Sequence, residues 1–146
     1  MPILTKFAAL VGAFVFSVPS MTYAGETPFI SIPVSDLQWH EVPDMGGEAS
    51  YADLRGSIFG NGPYEAFLQV KAGVDNPYHT HSRDVTTVVL KGIFYIIIDG
   101  KRIEYPAGSF WSIPADLPHY SGCAKGDDCL MFIHQVGSFD IVPLRE

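Results

Sequence analysis

The sequence predicts an all-β protein, a sandwich or barrel, and three observations predict it. Apolar and aromatic residues recur in short bursts separated by Gly, Pro, Asn and Asp. Beyond residue 24 no segment keeps a helical period for three turns. The bursts follow one another mostly at about eight to twelve residues, the rhythm of strands joined by turns.

Taken in chain order, the first 24 residues read as an export signal. Lys6 supplies positive charge, Phe7 to Val18 is almost wholly apolar, and Thr22-Tyr23-Ala24 places small residues at the cleavage positions. That run of about twelve residues falls short of the roughly 20 needed to span a bilayer, so a removed leader is expected and no membrane span in the mature form. The mature chain then begins near Gly25 in the periplasm or outside the cell. Residues 25–146 have the length of one domain with one core.

Within that domain the expected strands are Phe29 to Ile32, Gln38 to Val42, Asp53 to Ile58, Glu65 to Lys71, Val85 to Leu90, Ile93 to Ile98, Arg102 to Tyr105, Phe110 to Ile113 and Leu130 to Gln135. Asp99-Gly100 is the clearest hairpin signal, because a type I′ turn needs positive φ at both central residues. It pairs Ile93 to Ile98 with Arg102 to Tyr105. Pro43 to Ser50 and Gly60 to Pro63 read as loops. Pro28 to Asp36 reads as an extended arm suited to packing against a second subunit, as in a homodimer.

Composition removes one class of partner. The formal net charge is −7, and loss of Lys6 with the leader makes it −8, with the remaining Lys and Arg scattered among sixteen acidic residues. No basic patch exists to follow a phosphate backbone, so nucleic acid is not an expected partner. Cys123 and Cys129 lie six positions apart across a stretch of turn formers, and an exported protein meets an oxidising compartment. A disulfide across a hairpin is the expected state.

The chemistry sits in two blocks. In the first, Gly73 to Gly92, His79 and His81 are at i and i+2, which on an extended chain puts both imidazoles on one face within reach of one ion. In the second, Gly108 to Cys123, an apolar strand runs into a proline-bounded turn that carries His119. Together the blocks resemble the two signature motifs of the cupin superfamily. Gly73, His79, His81 and Gly92 match the first motif at the family's spacing, and Gly108, Pro114 and His119 match the second. The resemblance spans roughly Phe67 to Phe132. It implies an antiparallel double-stranded β-helix, the jelly-roll cupin barrel, with one divalent transition metal held inside its mouth by His79, His81 and His119. Zinc, iron, manganese, nickel and copper all suit imidazole ligands.

Three positions depart from the family pattern. Val85 stands where the family carries a ligating Glu, Asp116 where a Gly is usual, and Cys123 where an Asn is usual. Asp84, one position before Val85, is the candidate for a fourth ligand, by way of a bulge or loop at Ser82-Arg83. Two further residues are acid/base or cavity candidates according to which alternation of Leu130 to Gln135 faces inward: His134 in one case, Gln135 in the other. His40, beside Trp39, reads as structural.

Two functions follow from the resemblance. One is a metal-dependent enzyme, such as a dioxygenase, isomerase or decarboxylase, acting on a small anionic organic molecule. The other is a binding or sensing module for a metal or small molecule, similar to the zinc-holding cupin domains of anti-sigma factors. A barrel that has lost its metal and serves only as a structural subunit is the third reading. Intact-mass measurement of the envelope fraction should find a chain beginning at or near Gly25; a full-length mass in the cytosol would refute export.

Overall fold

The computed structural model describes residues 28–145, so the expected leader at residues 1–24 lies outside the described residues. The chain divides after Ser31, and the β-structure described lies within residues 32–146. Among the described residues eleven strands form two antiparallel sheets: β1 (His40–Glu41), β2 (Ala49–Arg55), β3 (Tyr64–Val70), β4 (Asp75–Thr80), β5 (Val85–Lys91), β6 (Ile93–Ile98), β7 (Lys101–Pro106), β8 (Phe110–Ile113), β9 (His119–Cys123), β10 (Cys129–Gln135) and β11 (Val142–Pro143). One sheet runs β1-β2-β3-β10-β5-β8 and the other β11-β4-β9-β6-β7. This is the jelly-roll architecture that the two motifs imply. No helix among the described residues is long and apolar enough to cross a membrane.

The core lies between the sheets and is filled by the inward members of alternating strands. Strand β10 is representative: Cys129, Met131, Ile133 and Gln135 are buried, while Leu130, Phe132 and His134 are only partly so. Val85, Thr87 and Val89 of β5 face them from the neighbouring strand. The Asp99-Gly100 hairpin forms as expected, with Ile98 opposite Lys101 and positive φ at both turn residues, 50° and 73°. Gly92, which closes the first motif, has φ 75°, and a Cβ there would lie 2.8 Å from the Asp128 carbonyl oxygen. Both conditions call for glycine.

Several boundaries move. Phe29 to Ile32 is not a strand, since Pro28 and Pro33 bracket it without N–H groups to donate, and a short 3₁₀ turn over Val34–Asp36 follows. The strand expected at Asp53 to Ile58 lies earlier, at Ala49–Arg55, and takes Ala49 and Ser50 from the expected loop. Strands β4, β9 and β11 were not among the expected nine.

The cysteines are joined, with Cα atoms 5.8 Å apart, but not across a hairpin. Cys123 ends β9 in one sheet and Cys129 begins β10 in the other. The bond therefore ties the two sheets together inside the core, where both residues are fully buried. Replacing both cysteines by alanine should lower unfolding free energy by about 2 kcal/mol or more while leaving the barrel folded, as read by denaturant titration with far-UV circular dichroism. Unchanged stability would show that the bond adds nothing.

Candidate metal centre

Strands β4 and β9 position the three histidines. They run antiparallel with Asp75 opposite Gly122 and Asn76 opposite Ser121, then His79 opposite His119. One extra residue is thus inserted on β4 at Pro77-Tyr78, a bulge opposite Tyr120, whose ring stacks 4.8 Å from that of Tyr78. The insertion reverses the alternation. Asn76 faces inward before it, and His79 and His81, rather than Tyr78 and Thr80, line the cavity after it. A proline suits that place because it has no N–H to leave unpaired.

His119 is set by the turn from Pro114 to Pro118. The Asp116 N–H donates to the His81 carbonyl at 2.9 Å, and the Ala115 N–H donates to Asp84 Oδ1 at 2.8 Å. Asp116 has φ 61°, which explains why the family favours glycine at this position and why an aspartate, tolerant of left-handed backbone, can replace it. Asp84 is exposed and does not join the cluster: after the bend at residues 82–83 it turns outward onto the Ala115 amide, so it braces the His119 turn in place of acting as a fourth ligand.

All three imidazoles are buried, at 1%, 4% and 1% exposure for His79, His81 and His119. One ring nitrogen from each lies within 4.8 Å of the others. Each Nδ1 is engaged with a backbone carbonyl: His79 with Pro77 at 2.6 Å, His81 with Asp140 at 2.5 Å, and His119 with Leu117 at 2.9 Å. With Nδ1–H donating, every Nε2 is left unprotonated with its lone pair free, the tautomer that a metal needs. Burial lowers the pKa of all three, His79 to about 4, with the neighbouring imidazoles adding to the shift at His79 and His81. The donor set therefore fits a divalent transition metal: neutral, convergent and held in orientation from behind.

The centre opens into a cavity between the sheets. All three histidines line it, together with Val85, Thr87, Trp111, Ile113, Ile133 and other largely apolar residues. It leaves about 40 Å³ for the centres of water-sized molecules. Val85, 1% exposed, places an isopropyl group on the wall where the family's carboxylate would stand, and no carboxylate joins the cluster among the described residues. A second, wider hollow shares Val42, Met45, Asn76, Phe139 and Ile141 with the cavity and forms its approach. Asp44, Glu48, Asp75 and Asp140 line that approach and give it a negative field that draws cations inward.

The remaining candidates lie elsewhere. His134 belongs to the outward alternation of β10, and its Nδ1 bonds the Tyr64 carbonyl at 2.9 Å, so it does not face the cavity. Gln135 is buried on the inward side, but its Oε1 accepts from the Tyr64 hydroxyl at 2.5 Å and it is not part of the cavity lining. His40 is exposed on β1, its ring 5.5 Å from Tyr51. Sequence reasoning missed the three carbonyl partners and the segment Phe139 to Ile141 that closes one side of the site. No residue type marks them, since a carbonyl is common to every residue.

Residues 66–134 match the family model described as the cupin domain. Among solved structures, the chain is similar to the polyketide cyclase RemF from Streptomyces resistomycificus, with 17% identity, TM-score 0.69, and 82% of this chain and 87% of that one covered. It is also similar to an RmlC-like cupin protein from Ralstonia eutropha (19%, TM-score 0.62, 76% and 70% covered). A third match is the structure of Rhodobacter sphaeroides SigE in complex with the anti-sigma ChrR, at 24% identity and TM-score 0.54, with 70% of this chain and 50% of that one covered. No curated protein matches the sequence. At these identities the structural likenesses establish the fold.

Single His79→Ala, His81→Ala and His119→Ala variants should each lose bound metal by elemental analysis, and His40→Ala and Asp84→Ala should retain it. The lowered pKa values set the pH dependence. In the metal-free folded state His79 stays neutral as pH falls from about 6.5 toward 4, and burial holds His81 and His119 below the ordinary imidazole range as well, while the imidazoles of the unfolded chain take up protons. Stability of the metal-free protein should therefore fall as pH drops through that window, and protons should compete for the metal only below the ordinary imidazole range. Full release of the metal by pH 6 would contradict this.

Proposed function

Taking residues 66–134 as a cupin domain, we propose that the mature protein is an exported metal-dependent enzyme. It acts on a small organic molecule that presents an anionic oxygen to the metal. The observation that carries this reading is that the three-histidine cluster faces a cavity left within the core between the sheets. A structural zinc site is closed by four protein ligands, whereas three ligands beside a cavity leave positions for substrate.

When bound, the metal would supply Lewis-acid or redox chemistry to an oxygen atom of the substrate. The chain's own residues do the rest. His79, His81 and His119 hold the ion through neutral nitrogens, so its full charge is available to an anionic ligand. The carbonyls of Pro77, Leu117 and Asp140 keep the three rings from turning. Val85, Ile113 and Ile133 exclude water beside the reacting atoms, which strengthens electrostatic interaction there. The cavity's size favours a substrate of few heavy atoms. We propose no general acid or base from the protein, because neither His134 nor Gln135 lines the cavity.

The absence of a carboxylate at Val85 favours a second reading, a module that holds a metal or small ligand for a partner. The likeness to the SigE–anti-sigma ChrR structure is in keeping with it. Metal-loaded protein offered small keto acids, catechols and thiols separates the two. Turnover, followed by oxygen uptake or product formation and abolished by His81→Ala, is the outcome expected of the enzyme. Binding without turnover across the series would favour the module. Val85→Glu should tighten metal binding by about tenfold or more and alter metal preference, because an anionic oxygen joins an all-nitrogen set. Metal affinity unchanged by that substitution would show that residue 85 does not face the ion.

A further inference from the structure

Three buried side-chain atoms among the described residues have no hydrogen-bond partner: Thr87 Oγ1, Trp111 Nε1 and Asn76 Oδ1. All three residues line the metal-site cavity. Thr87 and Trp111 are directly opposite one another on β5 and β8 and face the same way, at 1% and 9% exposure. The next inward pair along these strands is Val85 and Ile113. The Trp111 ring is held by stacking on Phe94, with centroids 5.8 Å apart and planes 14° from parallel. Asn76 stands on the opposite sheet, its amide nitrogen donating to Ser121 Oγ at 2.9 Å, which leaves its oxygen unpartnered.

Buried polar atoms without partners are uncommon, because each loses its hydrogen bond to water and gains none in return. Two in one cross-strand pair, on the wall of the cavity that β5 and β8 otherwise line with Val85 and Ile113, form a built polar locus. An indole N–H only donates, and a threonine hydroxyl can donate beside it, so the locus suits an acceptor oxygen. It lies one inward pair from the level of Val85, about 7 Å along the strand.

We propose that Thr87 and Trp111 form a second recognition point for the ligand of the metal centre, binding an uncharged oxygen atom at its distal end. The ligand class is then a short molecule with an apolar middle. One end carries an anionic, metal-chelating group and the other a carbonyl, ether or hydroxyl oxygen, with Asn76 Oδ1 able to accept from a hydroxyl on the opposite side. This rests on the proposed ligand-binding role of the metal centre and specifies what that ligand must carry.

Two measurements test it. The first uses the full mature chain loaded with zinc and two probes that differ only by an oxygen in place of a methylene, 3-methoxypropanohydroxamate and pentanohydroxamate. The wild type should bind the ether at least as tightly as the alkyl probe. Thr87→Val and Trp111→Phe should each shift the ratio about tenfold toward the alkyl probe, with zinc content unchanged. An equal preference for the alkyl probe in all three proteins would overturn the proposal. The second measurement needs no metal. Thr87→Val in the chelator-treated protein should raise the melting temperature by about 2 °C or more, since it removes an unpaired buried hydroxyl. A lower melting temperature would mean that a structural water satisfies the hydroxyl, and the recognition role would fail. Should the wild type bind no zinc, the three-histidine reading fails on its own, and the Thr87→Val result still decides this one.

Discussion

Each of three imidazole N–H groups reaches a backbone carbonyl, and what the centre can do depends on the nitrogen this leaves free. A neutral imidazole has one donor and one acceptor nitrogen. Engaging Nδ1 of His79, His81 and His119 with Pro77, Asp140 and Leu117 commits all three Nε2 atoms to the acceptor role. Burial then keeps the rings neutral. The partners of His79 and His119 lie two residues upstream of each ring, so short stretches of strand or turn supply their own locks. His81 depends on Asp140, near the chain's end, so its orientation requires that the C-terminal segment return to the site. That segment is held in turn by the Phe139 N–H on the Ile58 carbonyl and by β11 pairing with β4.

The carbonyl contacts would be useless without the bulge at Pro77-Tyr78. A regular β4 with Asn76 facing inward would continue with Tyr78 and Thr80, and both β4-side imidazoles would point away from the cavity. One extra residue puts both imidazoles on the cavity side of the sheet, and Asn76 and His79 can both face inward only because of it. The same economy appears at Asp116, where a single left-handed residue turns the chain so that His119 meets His79 across the ladder.

The legible parts of the molecule were those written in local chemistry. The Asp99-Gly100 turn, the glycine at position 92 and the spacing of His79, His81, Pro114 and His119 are each constrained by atoms within a few residues. Strands β4 and β9 were not legible as strands. Asn76-Pro77 and Ser121-Gly122 are residue types common in turns, and they are extended by the pairing of β4 with β9 and of β9 with β6. The facing of β10 was undecidable for a different reason. Leu130 and Phe132 are as apolar as Met131 and Ile133, so the choice between His134 and Gln135 falls to tertiary packing, with Phe132 meeting Phe67 on the outer side. Asp84 misled because its neighbour Val85 occupies the inward position, and the backbone bend before it serves the His119 turn.

The link between Cys123 and Cys129 has a mechanical consequence. Cys123 is at one end of β9 and His119 at the other, roughly 13 Å away at ordinary strand rise. At the His119 end the sheets are joined by the main chain itself, through residues 81–84 between β4 and β5 and residues 114–118 between β8 and β9. With the sulfur bridge at the other end, the two sheets are clamped at both ends of β9, so the gap between them is fixed by covalent bonds as well as by packing.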